Sequence, residues 1–279
     1  MTTSSRQAYP DVNDIRGDLP RLDFDADYGR LLEGKDVIVV GPAETLLGRG
    51  RGRVIDSFGL VVRFNTAIEY MPFADGLARD VGARTDILYC NSEVLGDRIV
   101  REQGLTRERF VRSCAEAGIK YFVGVNNDYV RGETDGQLPK GQAQLDEFRN
   151  FLADSGVSAR CRMLFSTPAV ARGWLGGYIG RTGFLGIVDL LRHAPRRLHI
   201  TGMTFYHKGG HLFLEDCVAE LDPLRNHRGI LPEHMLGHNS YRELQLTGTL
   251  AACFGPRLQL DEQVRKLLEA GGRRRPAED

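Results

Sequence analysis

A parallel, doubly wound α/β sheet is predicted by three features of this 279-residue chain. Short apolar runs of strand length recur along it, the first being the β-branched Val37-Ile38-Val39-Val40. Segments of helical period lie between the runs, and turn residues such as Gly41 and Asn65 close them. Strand alternating with helix throughout is the signature of a parallel sheet with helices on its faces.

In chain order, Asp36–Gly41, Leu60–Asn65, Thr85–Asn91, Ile119–Asn126, Cys161–Thr167, Leu198–Gly202 and Arg257–Leu260 read as strands. Arg107–Ala117, Gln142–Asp154, Thr182–His193, Arg242–Cys253 and Asp261–Ala270 read as helices. The last carries an apolar stripe at Val264, Leu267 and Leu268, with Asp261 as its N-cap. No internal repeat and no Ser/Gly/Pro linker divides the chain. Residues 21–270 are therefore expected to form a single domain, with flexible tails over 1–20 and 271–279.

Lys+Arg and Asp+Glu both number 37, so the net charge is zero. That argues against a chain built to hold nucleic acid, whose usual mark is a basic domain. A small anionic ligand needs only a local positive site. No apolar run approaches the roughly 18–20 residues that cross a bilayer, and Met1 to Asp14 carries no apolar signal core. Cys90, Cys114, Cys161, Cys217 and Cys253 are odd in number, widely spread and without a C-x2-C pair. They read as reduced thiols of a cytoplasmic protein.

Ligands of open α/β sheets gather at the carboxyl ends of the strands. Gly41 ends the first strand, and a Gly/Arg loop with glycines at 48, 50 and 52 follows. These glycines are out of phase with G-x-G-x-x-G, so a phosphate loop and a flexible basic turn both remain open. Pro42 has no N–H, which makes Ala43 N–H the better donor there. Asn65 and Asn91 close the second and third strands, and Gly202 closes the sixth. An Asn at such a place serves either a ribose and base or an Asx-turn. Arg181-Thr182-Gly183 opens an apolar helix, with Thr182 as N-cap and Gly183 permitting close approach to the backbone. The helix N-terminus suits an anion. His238 and Glu243 are five apart, about 140° around a continuous helix, so they are expected to span a loop and a helix start. A histidine suits deprotonation of a hydroxyl near neutral pH.

Metal-binding patterns are weaker. His207-x3-His211, with Cys217 and His227 beyond, has ligand-like spacing, but Gly209-Gly210 disfavours the helix it needs. Asp23-Phe24-Asp25-Ala26-Asp27 contains a D-x-D pattern before the first strand and reads as a solvated acidic turn.

Three segments together carry a family resemblance. Val37-Ile38-Val39-Val40-Gly41 leads through the Gly/Arg loop to Val62-Arg63-Phe64-Asn65 and Asp80-Val81-Gly82-Ala83-Arg84-Thr85. Arg181-Thr182-Gly183-Phe184-Leu185 follows, then His238-Asn239-Ser240-Tyr241-Arg242-Glu243. In order and spacing they resemble the large, small and very small motifs of the eukaryotic-type sialyltransferase-like proteins of glycosyltransferase family 29. The resemblance covers about residues 36–91, 181–203 and 238–243.

The resemblance implies a Rossmann-like single domain of GT-A-variant type and an inverting, metal-independent transferase without a cofactor. A sialic acid-like ulosonic sugar (sialic acid, Kdo or Kdn) would pass from its CMP donor to a hydroxyl of a glycan or glycolipid. His238 becomes the general base and Glu243 its support. A histidine between the small and very small motifs would bind the leaving phosphate: His207 first, then His211 and His227, with Lys208 sharing the charge. Gly41, Ala43, Asn65, Asn91, Arg181, Thr182, Gly183 and Gly202 would cradle the donor, and Asp80 with Arg84 would be a structural pair or turn. An arginine among 49, 51, 53 and 181 would meet the ulosonic carboxylate. The family's disulfide positions read about Val37 and Ala194 here, so that bridge is absent. Together with the missing anchor, this points to a cytoplasmic polysaccharide pathway, with peripheral membrane association through a partner as an option. Two other classes remain: a Rossmann-type NAD- or S-adenosylmethionine-dependent enzyme, and a noncatalytic nucleotide-binding protein.

Overall fold

The computed structural model describes residues 9–91, 106–125, 134–207, 212 and 238–273. Seven parallel strands form one sheet: β1 (Asp36–Val40), β2 (Leu60–Phe64), β3 (Ile87–Asn91), β4 (Tyr121–Val125), β5 (Arg160–Leu164), β6 (Arg197–Thr201) and β7 (Leu258–Leu260). Their order is β5-β4-β3-β2-β1-β6-β7. The chain builds outward from β1 to β5, then returns to place β6 on the other side of β1. The predicted doubly wound sheet is present, and the order reverses between β1 and β6, where such sheets open a crevice at their carboxyl ends.

The period-2 direction of side chains divides β1 between two cores. Val37 and Val39 join a cluster with Phe184, Leu185, Val188 and Leu246. Ile38 and Val40 join another with Phe110, Phe122 and Phe148. On the first face lie α1 (Val12–Asp18), α2 (Ala26–Leu32), α7 (Ser166–Trp174), α8 (Thr182–Arg192) and α9 (Ser240–Phe254). On the second lie α3 (Gly52–Asp56), α4 (Asp75–Val81), α5 (Arg107–Ala117) and α6 (Thr134–Asp154). The last helix, α10, spans Glu262–Arg273. Burial on both faces explains why the strands are apolar in succession.

Several expectations change. Residues 12–18 are helical rather than tail, capped by Asp11, with Ile15 fully buried against the core. The acidic segment is not a solvated turn. Asp25 caps α2 through Tyr28 N, and Asp23 accepts from Phe165 N and Thr167 N at the start of α7. The expected C-terminal tail begins later, since α10 runs to Arg273.

Asp80 and Arg84 are not a pair. Asp80 accepts from Gly48 N at 2.7 Å and Gly50 N at 2.6 Å, so it shapes the Gly/Arg loop. Those two N–H bonds lower its pKa. Arg84 instead meets Asp86 at 2.6 Å and donates to the Asp56 and Phe58 carbonyls. Arg63 is 1% exposed and donates to the Val81 and Gly82 carbonyls and to Thr85 Oγ1. Burial pushes its pKa down to about 10. Carbonyl oxygens take the place of a carboxylate around this charge, which makes Arg63 a staple between β2 and the turn after α4.

Candidate active site

At the switch point the backbone is packed to contact. Gly41 N donates to Thr201 O at 2.8 Å and Ala43 N to Gly202 O at 3.1 Å. A Cβ on Gly41 would lie 2.2 Å from Gly202 O. Asp261 accepts from Thr201 Oγ1 at 2.9 Å, Gly202 N at 3.1 Å and, as N-cap of α10, Val264 N at 2.8 Å. The N–H of Ala43, expected to be open to a ligand, is thus committed to the fold. Gly41 and Gly202 are there because the chain crosses itself. The thiols of Cys90, Cys114, Cys161 and Cys253 are free. Burial raises the pKa of Cys90, and pushes that of Cys114 up to about 12, so neither suits nucleophilic work.

The ends of β2 and β3 meet through Asn65, whose Oδ1 accepts from Asn91 N at 2.9 Å. Asn65 sits at φ 43°, a left-handed conformation that Asn tolerates better than most residues. Its carbonyl oxygen is occupied, which leaves the amide NH2 as the group a ribose or base would meet. Lys208, His211, Cys217 and His227, all named from the sequence, lie outside the described residues.

α8 brings the next group. Its N-cap is Arg181, with Thr182 one place inside and 6% exposed, so Thr182 is not the cap the sequence implies. Arg181 displaces it because Glu243 takes both its backbone N–H, at 2.7 Å, and its guanidinium, at 2.9 Å. Glu243 is 1% exposed. This one carboxylate fixes both the peptide and the side chain that open the helix. A Cβ on Gly183 would meet Met203 Cε at 2.7 Å, and one on Gly186 would meet Phe64 Cε1 at 2.8 Å. Close packing through these glycines seats the start of α8 over the carboxyl ends of β2 and β6.

The Arg181 guanidinium also lies 4.9 Å from the centroid of the Tyr206 ring. Phe205 and Tyr206 adopt φ 50° and 62°, two consecutive non-glycine residues in left-handed geometry just before His207. Such strain persists only where surrounding contacts enforce it. The buried Phe205 side chain and the Arg181–Tyr206 stack supply them. The sequence alone gives Tyr206 no role; the aromatic pair next to His207 is the available signal.

His238 comes from the loop before α9, as its spacing from Glu243 implies. Asn239 caps that helix by accepting from Arg242 N at 3.0 Å. His238 Nδ1 lies 2.6 Å from the Ile179 carbonyl. A carbonyl only accepts, so Nδ1 carries the proton and Nε2 is the basic nitrogen. Ile179 is two residues before Arg181. His238, Arg181, Glu243 and Tyr206 therefore form one connected group at the carboxyl edge of the sheet, and His207 follows Tyr206 in the chain. Among the described residues, no cluster of three or more His, Cys, Asp or Glu is placed to hold a metal ion. No described helix is long and apolar enough to cross a membrane.

A parallel doubly wound sheet with a helix N-terminus and a loop-borne histidine at its switch point defines an α/β protein with a nucleotide-type crevice. The sequence model of glycosyltransferase family 29 (sialyltransferase) matches residues 25–116. Over that stretch, about one third of the chain, the protein is sialyltransferase-like in sequence. It is 45% identical over 67 residues to sialyltransferase-like protein 3 of Oryza sativa subsp. indica, covering 24% of this chain and 16% of that protein. It is 44% identical over 57 residues to sialyltransferase-like protein 2 of the same subspecies, covering 20% and 13%. The matched stretches thus span less than one fifth of those relatives' own length. Among solved structures, a mammalian sialyltransferase is similar at 16% identity and TM-score 0.48, over 92% of this chain and 81% of that one. The monofunctional alpha-2,3-sialyltransferase Cst-I from Campylobacter jejuni is similar at 13% identity and TM-score 0.48, over 81% and 74%.

Proposed function

We propose that this chain is a CMP-sugar glycosyltransferase that moves a sialic acid-like ulosonic sugar to a sugar hydroxyl of a glycan or glycolipid. The observation that carries this reading is the joining of His238, through the Ile179 carbonyl, to the Arg181–Glu243 unit at the N-terminus of α8. His238 Nε2 takes the proton of the acceptor hydroxyl. The acceptor oxygen attacks the anomeric carbon from the side opposite CMP, the bond from that carbon to the phosphate oxygen breaks, and its electron pair leaves with CMP. Configuration inverts. His207 stabilises the departing phosphate by hydrogen bonding or proton donation, next to the first-turn N–H groups of α8 at Thr182 and Gly183. Asn65 and Asn91 take the nucleoside side of the crevice. No step requires a divalent metal, because protein donors meet the developing phosphate charge.

Arg181 Nη1 is held by Glu243, and Arg51 lines a cavity on the other face of the sheet, so Arg49 and Arg53 are the first candidates to meet the ulosonic carboxylate, with the remaining N–H groups of Arg181 next. A cytoplasmic pathway that decorates a polysaccharide fits the free thiols of Cys90, Cys114, Cys161 and Cys253, with sialic acid, Kdo and Kdn as donor candidates.

The test is release of CMP from CMP-sialic acid and CMP-Kdo, with and without EDTA, in wild type and His238→Ala. EDTA-insensitive release that disappears in the variant is the expected result. Stabilisation by NAD or S-adenosylmethionine with none by CMP would overturn the reading. Tight CMP binding with no release from any CMP-sugar would make the chain a noncatalytic binder.

A further inference from the structure

A cavity of about 360 Å³ lies on the face of the sheet opposite α8, between α3, β6, β7 and the start of α10. That volume falls in the range of small-ligand pockets, roughly 300–1,000 Å³. None of Arg181, His207, His238 or Glu243 lines it. Its apolar side is formed by Ile38, Phe58 and Val54, and Val54 is 50% exposed.

Its charges are unbalanced in a particular way. Both lining carboxylates have partners, one in the backbone and one on the surface. Asp261 holds Thr201, Gly202 and the cap of α10, while Glu262 pairs with Lys266 at 2.5 Å. Arg51 and Arg265 also line the cavity, are exposed, and have no carboxylate partner in contact among the described residues. Arg265 and the nearby Arg49 act on Glu262 only through space.

A third group is unsatisfied. His199 lines the cavity with its ring edge-on to Phe58 at 4.6 Å between centroids, and its Nε2 is shielded from solvent without a hydrogen-bond partner. Shielded polar atoms are nearly always partnered, so such an atom in a cavity wall calls for an occupant. Burial and the Arg197 charge lower the His199 pKa, so the ring is neutral and offers one hydrogen bond without adding charge.

We propose that this cavity binds a small organic anion. Its carboxylate or phosphate lies between Arg51 and Arg265, and its aromatic or short aliphatic body lies on Val54 and Phe58. A polar atom of the ligand reaches His199 Nε2. Fork-shaped guanidinium donors favour carboxylate and phosphate over a diffuse charge. The apolar wall rejects a fully solvated ion such as free phosphate.

Isothermal titration of the whole chain with 2-naphthoate, 2-naphthyl phosphate and the uncharged 2-naphthamide tests this. The expected result is saturable one-site binding of both anions, with the amide at least about tenfold weaker. Arg51→Ala/Arg265→Ala should weaken the anions by at least about tenfold, and both positions are exposed, so the fold is spared. Val54→Trp, also at an exposed position, should abolish binding by filling the space. Excess CMP should not displace the probes. Absence of saturable binding at millimolar probe, equal affinity in the double variant, undiminished binding in Val54→Trp, equal binding of the amide, or stoichiometric displacement by CMP would each overturn the proposal.

Discussion

Two junctions meet at the carboxyl edge of the sheet, and they use their polar groups in opposite ways. At the β1–β6 junction nearly every donor is consumed by the fold. Gly41, Ala43 and Gly202 give their N–H groups to Thr201 O, Gly202 O and Asp261, and the Pro42 carbonyl accepts from Leu212 N. At the α8–α9 junction Glu243 fixes Arg181, but the first-turn N–H groups of Thr182 and Gly183 are ones that a helix does not satisfy internally. A histidine with a defined tautomer is tied to the Ile179 carbonyl in the segment leading into that helix. The glycine-rich first junction is a scaffold, and the second is the candidate site. Family similarity runs over residues 25–116, which contain the β1 side of the scaffold and none of Arg181, His207, His238 or Glu243. Backbone contacts without room for a Cβ, and buried staples such as Arg63, restrict sequence as strongly as a reaction does.

The contrast can be broken at either junction. The largest effect is expected at His238. His238→Ala should reduce CMP release by about 10²–10⁴-fold, the usual contribution of a general base, with the unfolding midpoint little changed. A comparable loss of both activity and stability would instead make His238 part of the scaffold. Next comes Glu243. Glu243→Ala strands the Arg181 guanidinium and backbone N–H, and breaking a buried pair costs about 3–5 kcal/mol, readable as a fall in denaturant midpoint. Glu243→Gln keeps an acceptor and should lose less than half of that. If alanine and glutamine behaved alike, the double tie to Arg181 would not hold the helix start.

Smaller effects test the packing. Gly41→Ala places a Cβ against backbone, 2.2 Å from Gly202 O, and should cost about 1–3 kcal/mol or more as an overpacked site. Gly183→Ala clashes with the movable end of Met203 alone, Phe64 being at ordinary contact distance, and should cost clearly less in urea unfolding. The reverse order would place the tight junction at α8 rather than between β1 and β6.

The smallest expected effect is a pH slope from His193. Its side chain is buried, Nδ1 donates to Asp189 O at 2.9 Å, and Nε2 accepts from Asp25 N at 3.0 Å. Burial outweighs the nearby Asp189 charge and lowers its pKa. The unfolded chain therefore binds a proton first, near the ordinary value of about 6.5. Stability is full above that pH and declines as pH falls toward the depressed folded value. His193→Asn should flatten this slope in unfolding measured between about pH 6.5 and 5. An unchanged slope would assign it to other groups, His199 among them.

Seven strands and five helices were legible in the sequence because long apolar runs and a sustained 3.6-residue period are local signals. The helices at 12–18, 26–32, 52–56, 75–81 and 166–174 were not. They have five to nine residues, too few for a period to show or for a helix to stand alone. Caps from elsewhere supply part of what they lack, as Asp23 does for α7 across 142 residues of sequence. At the candidate site, His238 and Glu243 could be read as a loop-and-helix pair from their spacing alone. The partnership of Glu243 with Arg181, 62 residues away, and the stacking of Arg181 on Tyr206 could not.

By itself the sequence determined a parallel sheet covered on both faces, the placement of Asn65, Asn91 and Gly202 at strand ends, and a histidine presented before a helix. Each follows from residue type and local period. The tertiary structure decided which groups were used up. Ala43 N–H and the Arg181 guanidinium both look open to a ligand in the sequence, and both are bound by partners distant in the chain. A hydrogen bond depends on where two groups meet in space, and linear spacing carries no record of that meeting.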